Sequence, residues 1–125
     1  MTRLKGKPTV LVVEDEYFLA DDVAAALAAA GAEVLGPVPT PAAALDVLKQ
    51  HPRIDFALLD INLRGTMAYG VADELRRRGI PFVFATGYDA QAIIEEYRYV
   101  PQLAKPVMIE TILEAVAEAA EHSRA

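Results

Sequence analysis

Short apolar runs alternate with longer stretches of helical period along most of the chain. Residues 10–13 form a four-residue apolar run, the size of a buried strand. Leu19, Val23 and Leu27 recur at four-residue spacing in an alanine-rich stretch that stops at Gly31, which predicts a helix with glycine just past its end. Residues 34–38 predict a second, weaker strand, interrupted by Gly36 and Pro37. Thr40 followed by Pro41 reads as an N-cap with proline at the first helical position, opening a helix through about Gln50. Residues 54–59 predict a third strand, Val71, Ala72 and Leu75 a helix closing at Gly79, and residues 82–85 a fourth strand. Asp89 is placed to cap a short helix through about Tyr97, and residues 100–104 predict a fifth strand. The last helix is predicted over residues 107–122, with Ile109, Ile112, Leu113, Val116 and Ala120 as its apolar stripe.

Five strands each followed by a helix imply a parallel sheet covered on both faces. Right-handed crossovers then make a doubly wound α/β sandwich the natural fold. At 125 residues the chain fits one domain, expected over residues 9–123 behind a short tail at residues 1–8, with no output domain following. Composition narrows the functions. The chain is 54% apolar, enough for a core without covalent staples, and has no cysteine, which removes thiol catalysis, thiolate zinc sites and disulfides. That fits a reducing cytoplasm, the expected location. A net charge of −6 argues against non-specific nucleic-acid binding. Arg76, Arg77 and Arg78 fall at the end of a predicted helix, where cations suit the dipole. No apolar run approaches the roughly 20 residues of a membrane span, and residues 9–13 are too brief for a signal-peptide core. His51 and His122 are too isolated to suggest a metal site or a catalytic base.

In open α/β sheets the ligand crevice lies beyond the carboxyl ends of the strands, where strand order reverses. After the first strand come Glu14, Asp15 and Glu16, and after the third Asp60. After the fourth come Thr86 and Gly87, and after the fifth Lys105 and Pro106. In the flavodoxin-like strand order 2-1-3-4-5, the first and third strands flank the switch point, so Glu14, Asp15 and Asp60 converge. Three crowded carboxylates repel one another unless a cation or protons intervene. Mg²⁺ suits such a place, because it takes hard oxygen ligands and leaves positions for phosphate oxygens. One carboxylate can then act as a nucleophile toward phosphorus while the metal offsets charge on the transferring group. Lys105 can pair with a phosphoryl oxygen and Thr86 can donate a hydroxyl hydrogen bond. Taken singly, each has a plainer reading: acidic residues after a strand also suit a helix N-terminus, and Thr-Gly also makes a turn. The conjunction at four strand ends carries the signal.

These residues resemble the receiver domains of two-component response regulators over nearly the whole chain. The resemblance implies that Asp60, within Leu58-Leu59-Asp60-Ile61-Asn62-Leu63, is the phosphoacceptor. It implies that Glu14, Asp15 and Asp60 hold Mg²⁺ with the backbone carbonyl of Asn62. Thr86 then matches the switch hydroxyl and Lys105 the phosphoryl-contacting lysine, with a commonly cis bond at Lys105-Pro106. One position departs. Receivers usually carry an aromatic switch three residues before the lysine, where this chain has Gln102. The run Pro81-Phe82-Val83-Phe84-Ala85-Thr86-Gly87-Tyr88 resembles the signature of a receiver subgroup nicknamed FAT GUY, which implies that Tyr88 or its loop replaces the missing switch. Gly87 would leave the acceptor open to a donor imidazole.

The expected function is thus a single-domain response regulator, phosphorylated by a histidine kinase, with the HWE or HisKA2 type implied by the subgroup resemblance. Output would be protein–protein contact near the fourth helix and fifth strand, or service as a phosphate sink or shuttle, with weak dimerisation open. Such a domain assists its own phosphorylation and dephosphorylation but turns over no external substrate. A receiver-like docking module that works without phosphorylation is the competing reading, favoured only by Gln102. An aspartate-nucleophile phosphatase would carry Asp-x-Asp where this chain has Asp60-Ile61-Asn62. A flavin-binding protein would not place Glu14-Asp15-Glu16 where a phosphate must sit.

Overall fold

The computed structural model describes residues 3–87 and 93–124. Five parallel strands, β1 (Thr9–Val13), β2 (Glu33–Val38), β3 (Phe56–Asp60), β6 (Phe82–Thr86) and β7 (Gln102–Ala104), lie in the order β2-β1-β3-β6-β7. That is the expected order 2-1-3-4-5, with a two-stranded hairpin, β4 (Asn62–Leu63) and β5 (Thr66–Met67), inserted after β3. The helices are α1 (Tyr17–Ala29), α2 (Pro41–Gln50), α3 (Tyr69–Arg77) and α4 (Ile109–Arg124). Among the described residues none is long and apolar enough to cross a membrane.

Alternation along the strands builds the two layers of the core. Leu11, Val13, Ala57, Leu59 and Phe84 face one side, with residues of α2 and α3. Val10, Val12, Phe56, Leu58, Val83 and Ala85 face the other, with residues of α1 and α4. Burial on both faces explains why these strands read as unbroken apolar runs rather than as alternating ones.

Local signals account for the helix limits. The Thr40 hydroxyl oxygen accepts from the Ala43 N–H at 3.1 Å, and proline opens α2. Gly31 and Gly79 sit at positive φ just beyond α1 and α3. The three arginines at the end of α3 do more than face a dipole. Arg77 pairs with Glu74, Arg76 pairs with Glu96 at 2.8 Å, and Arg78 donates to the carbonyls of His51 and Pro52 just past α2.

Two expectations change. The helix through Tyr97 is, in its described part, only a 3-10 turn at Glu95–Tyr97; its cap Asp89, with Tyr88, lies outside the described residues. The turn is held by tertiary packing. Tyr97 is fully buried, stacks on Tyr69 at 5.9 Å, and donates its hydroxyl to Asp73. The fifth strand starts at Gln102 rather than at residue 100, where Val100 turns into the core instead. Lys105-Pro106 is cis, and so is Gly36-Pro37.

Gly36 marks the irregularity in β2. The register of β1 with β2 shifts between Leu11 and Val13, and Gly36 adopts φ +98 there. A Cβ at this position would stand 2.7 Å from the Val12 carbonyl oxygen and 2.8 Å from the Val38 nitrogen. Gly36→Ala is therefore expected to cost about 2 kcal/mol or more, from strain and clash together, measured as a lowered urea midpoint at unchanged m-value.

Candidate functional site

The sheet register assembles the site. Val13 pairs with Leu59, so the next residues, Glu14 and Asp60, emerge side by side from β1 and β3. Asp60 pairs with Ala85, which places Thr86 one step further along β6, and Thr86 pairs with Ala104, which places Lys105 just past β7. The chemistry-bearing residues thus share the carboxyl edge of the sheet at its topological switch point.

Glu14 and Asp60 are buried to 5% and 4% exposure, and Asp15 completes the cluster. One ligand oxygen from each lies within 4.8 Å of the others. The Lys105 ammonium spans the pair, 2.7 Å from Asp60 Oδ2 and 3.1 Å from Glu14 Oε1. It also stands 3.5 Å from Glu16 Oε1. Backbone groups orient the carboxylates: the Asn62 N–H donates to Asp60 Oδ1 at 3.0 Å, and the Glu16 N–H donates to Glu14 Oε2 at 3.0 Å. The Glu14 carboxylate therefore faces both the backbone N–H of Glu16, just ahead of α1, and the Lys105 ammonium. Glu16, at the N-cap of α1, makes no side-chain cap bond.

Burial pushes the Glu14 carboxyl up to about 7; the Glu16 N–H opposes this, while hydrogen bonding and charge at Asp60 add to it. For Lys105 burial works against the ammonium, but its hydrogen bonds to Asp60 and Glu14 outweigh that and hold it above its usual range.

Asp60, Asn62, Gly87 and Lys105 line one cleft of about 370 Å³ with Asp15 and Arg64. Thr86 is buried and lines an adjoining cavity beside Lys105, whose N–H donates to the Thr86 carbonyl at 2.8 Å. Gly87 is exposed. Gln102 is exposed on β7 and offers no aromatic substitute, and Tyr88 lies outside the described residues. Two neighbours escaped the sequence reading. Arg64 stands 3.5 Å from Asp15, and Tyr97 packs its ring 6.1 Å from that of Phe84. No local periodicity signals either, because both contacts join distant stretches of chain.

A fold of this order with an acidic cluster and a lysine at the switch point defines a receiver-type module. The family model described as "Response regulator receiver domain" matches residues 10–117, and the chain belongs to that family. The solution structure of SdrG from Sphingomonas melonis Fr1 is 35% identical, with TM-score 0.79, covering 94% of this chain and 99% of that one. The BeF3-activated conformation of SdrG from Pseudomonas melonis Fr1 is 36% identical, with TM-score 0.72 and coverage of 96% and 98%. A response regulator receiver protein from Sinorhizobium medicae WSM419 is 26% identical, with TM-score 0.78 and coverage of 93% and 96%. No curated protein sequence matches. Receiver domains are in general signalling proteins rather than enzymes that turn over a substrate, and they bind Mg²⁺ through acidic residues.

The donor set here fits that ion. Four carboxylates (Glu14, Asp15, Glu16 and Asp60) face two cations (Lys105 and Arg64), so negative charge on hard oxygen ligands stays in excess even with Glu14 drawn toward neutrality.

The raised Glu14 carboxyl gives a pH signature. Between its unfolded value of 4.5 and its folded value of about 7, the native state holds more protons than the unfolded state. Stability without divalent cations therefore falls as pH rises through that window. Wild type is expected to lose up to roughly 3 kcal/mol relative to Glu14→Gln between pH 4.5 and about pH 8, read from paired urea titrations. A difference that stays flat or grows in wild type's favour would refute the assignment.

Proposed function

We propose that this receiver accepts a phosphoryl group on Asp60 from a histidine kinase and signals by changing its protein contacts. The observation that carries the reading is the Lys105 ammonium 2.7 Å from Asp60 Oδ2, beside an acidic pair on the neighbouring strand. Asp60 Oδ1 is fixed by the Asn62 N–H, which leaves the side chain oriented at the open cleft. In the transfer an Asp60 oxygen attacks phosphorus, a phosphorus–oxygen bond forms, and the bond to the donor nitrogen breaks. Lys105 offsets charge on the phosphoryl oxygens and Thr86 donates its hydroxyl to one of them. Glu14, Asp15, Asp60 and the Asn62 carbonyl would hold Mg²⁺, which supplies charge neutralisation to the transferring group.

Support for a phosphoryl-responsive module comes from the SdrG relative, whose BeF3-activated conformation is known; beryllofluoride has the shape and charge of a phosphoryl group. The HWE or HisKA2 type of kinase and the FAT GUY subgroup rest on Phe84-Ala85-Thr86-Gly87-Tyr88, with Tyr88 in the switch role that Gln102 cannot fill. A cytoplasmic location and weak dimerisation belong to the same proposal, with service as a phosphate sink or shuttle as the alternative to signalling by contact.

Incubation with Mg²⁺ and a small-molecule phosphodonor, followed by intact mass, should give one phosphoryl adduct on wild type and none on Asp60→Asn. An adduct retained by Asp60→Asn at the same site would sink the acceptor assignment. Asp15→Asn should weaken Mg²⁺ binding about tenfold or more in an NMR titration, since it removes one charged ligand from the cluster. Unchanged affinity would take Asp15 out of the ligand set.

A further inference from the structure

The three clustered carboxylates differ in what already holds them. Glu14 has Lys105 and the Glu16 N–H, and Asp60 has Lys105 and the Asn62 N–H. Asp15 has a different counterion: the Arg64 Nε at 3.5 Å, the one cation within ion-pair distance of it among the described residues.

Backbone geometry, not chance reach, puts Arg64 there. Arg64 and Gly65 form the tip of the β4–β5 hairpin with φ +52 and +88, two consecutive left-handed residues as a type I′ turn requires. The Asn62 side-chain carbonyl accepts the Gly65 N–H at 2.7 Å and closes the turn. Asn62 also donates its own N–H to Asp60, so one residue ties the hairpin tip to the acceptor carboxylate. Asn, Asp or Gly would suit the first central position of such a turn, and an arginine sits there against local preference.

We propose that Arg64 is a built-in competitor of the divalent cation: its guanidinium neutralises Asp15 until Mg²⁺ displaces it. The inference rests on the metal site proposed above. A guanidinium and a metal ion of like sign cannot both sit close to one carboxylate oxygen, so binding of the ion expels the arginine. Lys105 does not play this part, because its side chain is 16% exposed and is shared between Glu14 and Asp60. Arg64 is 82% exposed and can swing into water at little cost. The competition is accordingly modest, and salt screens it. Its effect is to keep Asp15 paired when the ion is scarce and to set the Mg²⁺ threshold above that of the bare acidic cluster.

The test is Mg²⁺ titration of the full chain at low ionic strength, followed by amide NMR shifts. Arg64→Asn removes the charge while supplying a residue the turn favours, so the fold is expected to survive. Arg64→Asn should bind Mg²⁺ about two- to fivefold more tightly than wild type, the range an exposed ion pair of this kind supports. The gap should close at high monovalent salt. Arg77→Gln removes a cation from α3, where it pairs with Glu74, and should leave the affinity unchanged. Equal or weaker binding by Arg64→Asn overturns the competition and leaves the metal site standing. Tightening by Arg77→Gln as large as that by Arg64→Asn also overturns it, because net charge would then explain the gain. No Mg²⁺ binding by wild type or variant overturns the metal site and the competition together.

Discussion

A single ammonium group, Lys105 Nζ, reaches two carboxylates that are almost wholly out of water. Remove it, and Glu14 and Asp60 are left buried beside each other without a counterion, a situation that costs several kcal/mol in proteins. The lysine leaves the end of the edge strand β7, whereas its partners leave β1 and β3. Edge and centre of the sheet must therefore keep their registers for the charges to meet. The Lys105 N–H also extends the ladder by one bond, to the Thr86 carbonyl. The electrostatic requirement and the strand register are consequently one constraint seen from two ends.

That constraint makes the carboxyl edge of the sheet the least comfortable part of the molecule. Crowding and burial drive the Glu14 carboxyl toward neutrality, while the one cation paired with Asp15 among the described residues is an exposed arginine. Such a site is stabilised from elsewhere. Two apolar layers supply what the charges cost, with Leu59, Ile61, Phe84, Leu75 and Tyr97 on one side and Leu27, Ile112 and Leu113 on the other. An acidic cluster kept short of positive charge suits a divalent cation, so the discomfort is the property that the proposed metal-assisted phosphoacceptor would need.

Most of this was legible in the amino-acid sequence, for physical reasons. Strands buried on both faces announce themselves as apolar runs, and the residue after each run falls where a crevice must form, so Glu14, Asp60, Thr86 and Lys105 could be placed before any coordinate. Thr40-Pro41 and Gly31 carry local stereochemistry that fixes helix ends. The hairpin after β3 was not legible: two-residue strands have no periodicity, and Arg64-Gly65 lacks the asparagine that signals its turn. Nor was the 3-10 turn at Glu95–Tyr97, whose form is imposed by Tyr97 packing on Tyr69 and Phe84 rather than by propensity. Arg78 binding carbonyls just past α2 is likewise a contact across some 26 residues that no window could reveal.

The exposed Gln102 bears on how a charge change at Asp60 would travel. It pairs in register with Phe84 on β6, whose ring packs 6.1 Å from Tyr97. Tyr97 in turn donates to Asp73, and Arg76 lies 5.0 Å over its ring. The aromatic mass beside β6 thus comes from the segment before β7 and is pinned to α3, so it is not free to rotate as a strand-borne side chain would be. A phosphoryl group on Asp60 would instead compete with Glu14 for Lys105, and Lys105 sits one residue past the end of β7. Any pull on that lysine acts along an edge strand of only three residues, held to β6 alone. That strand is the shortest of the five in the sheet, and it ends one residue before the lysine that faces Asp60.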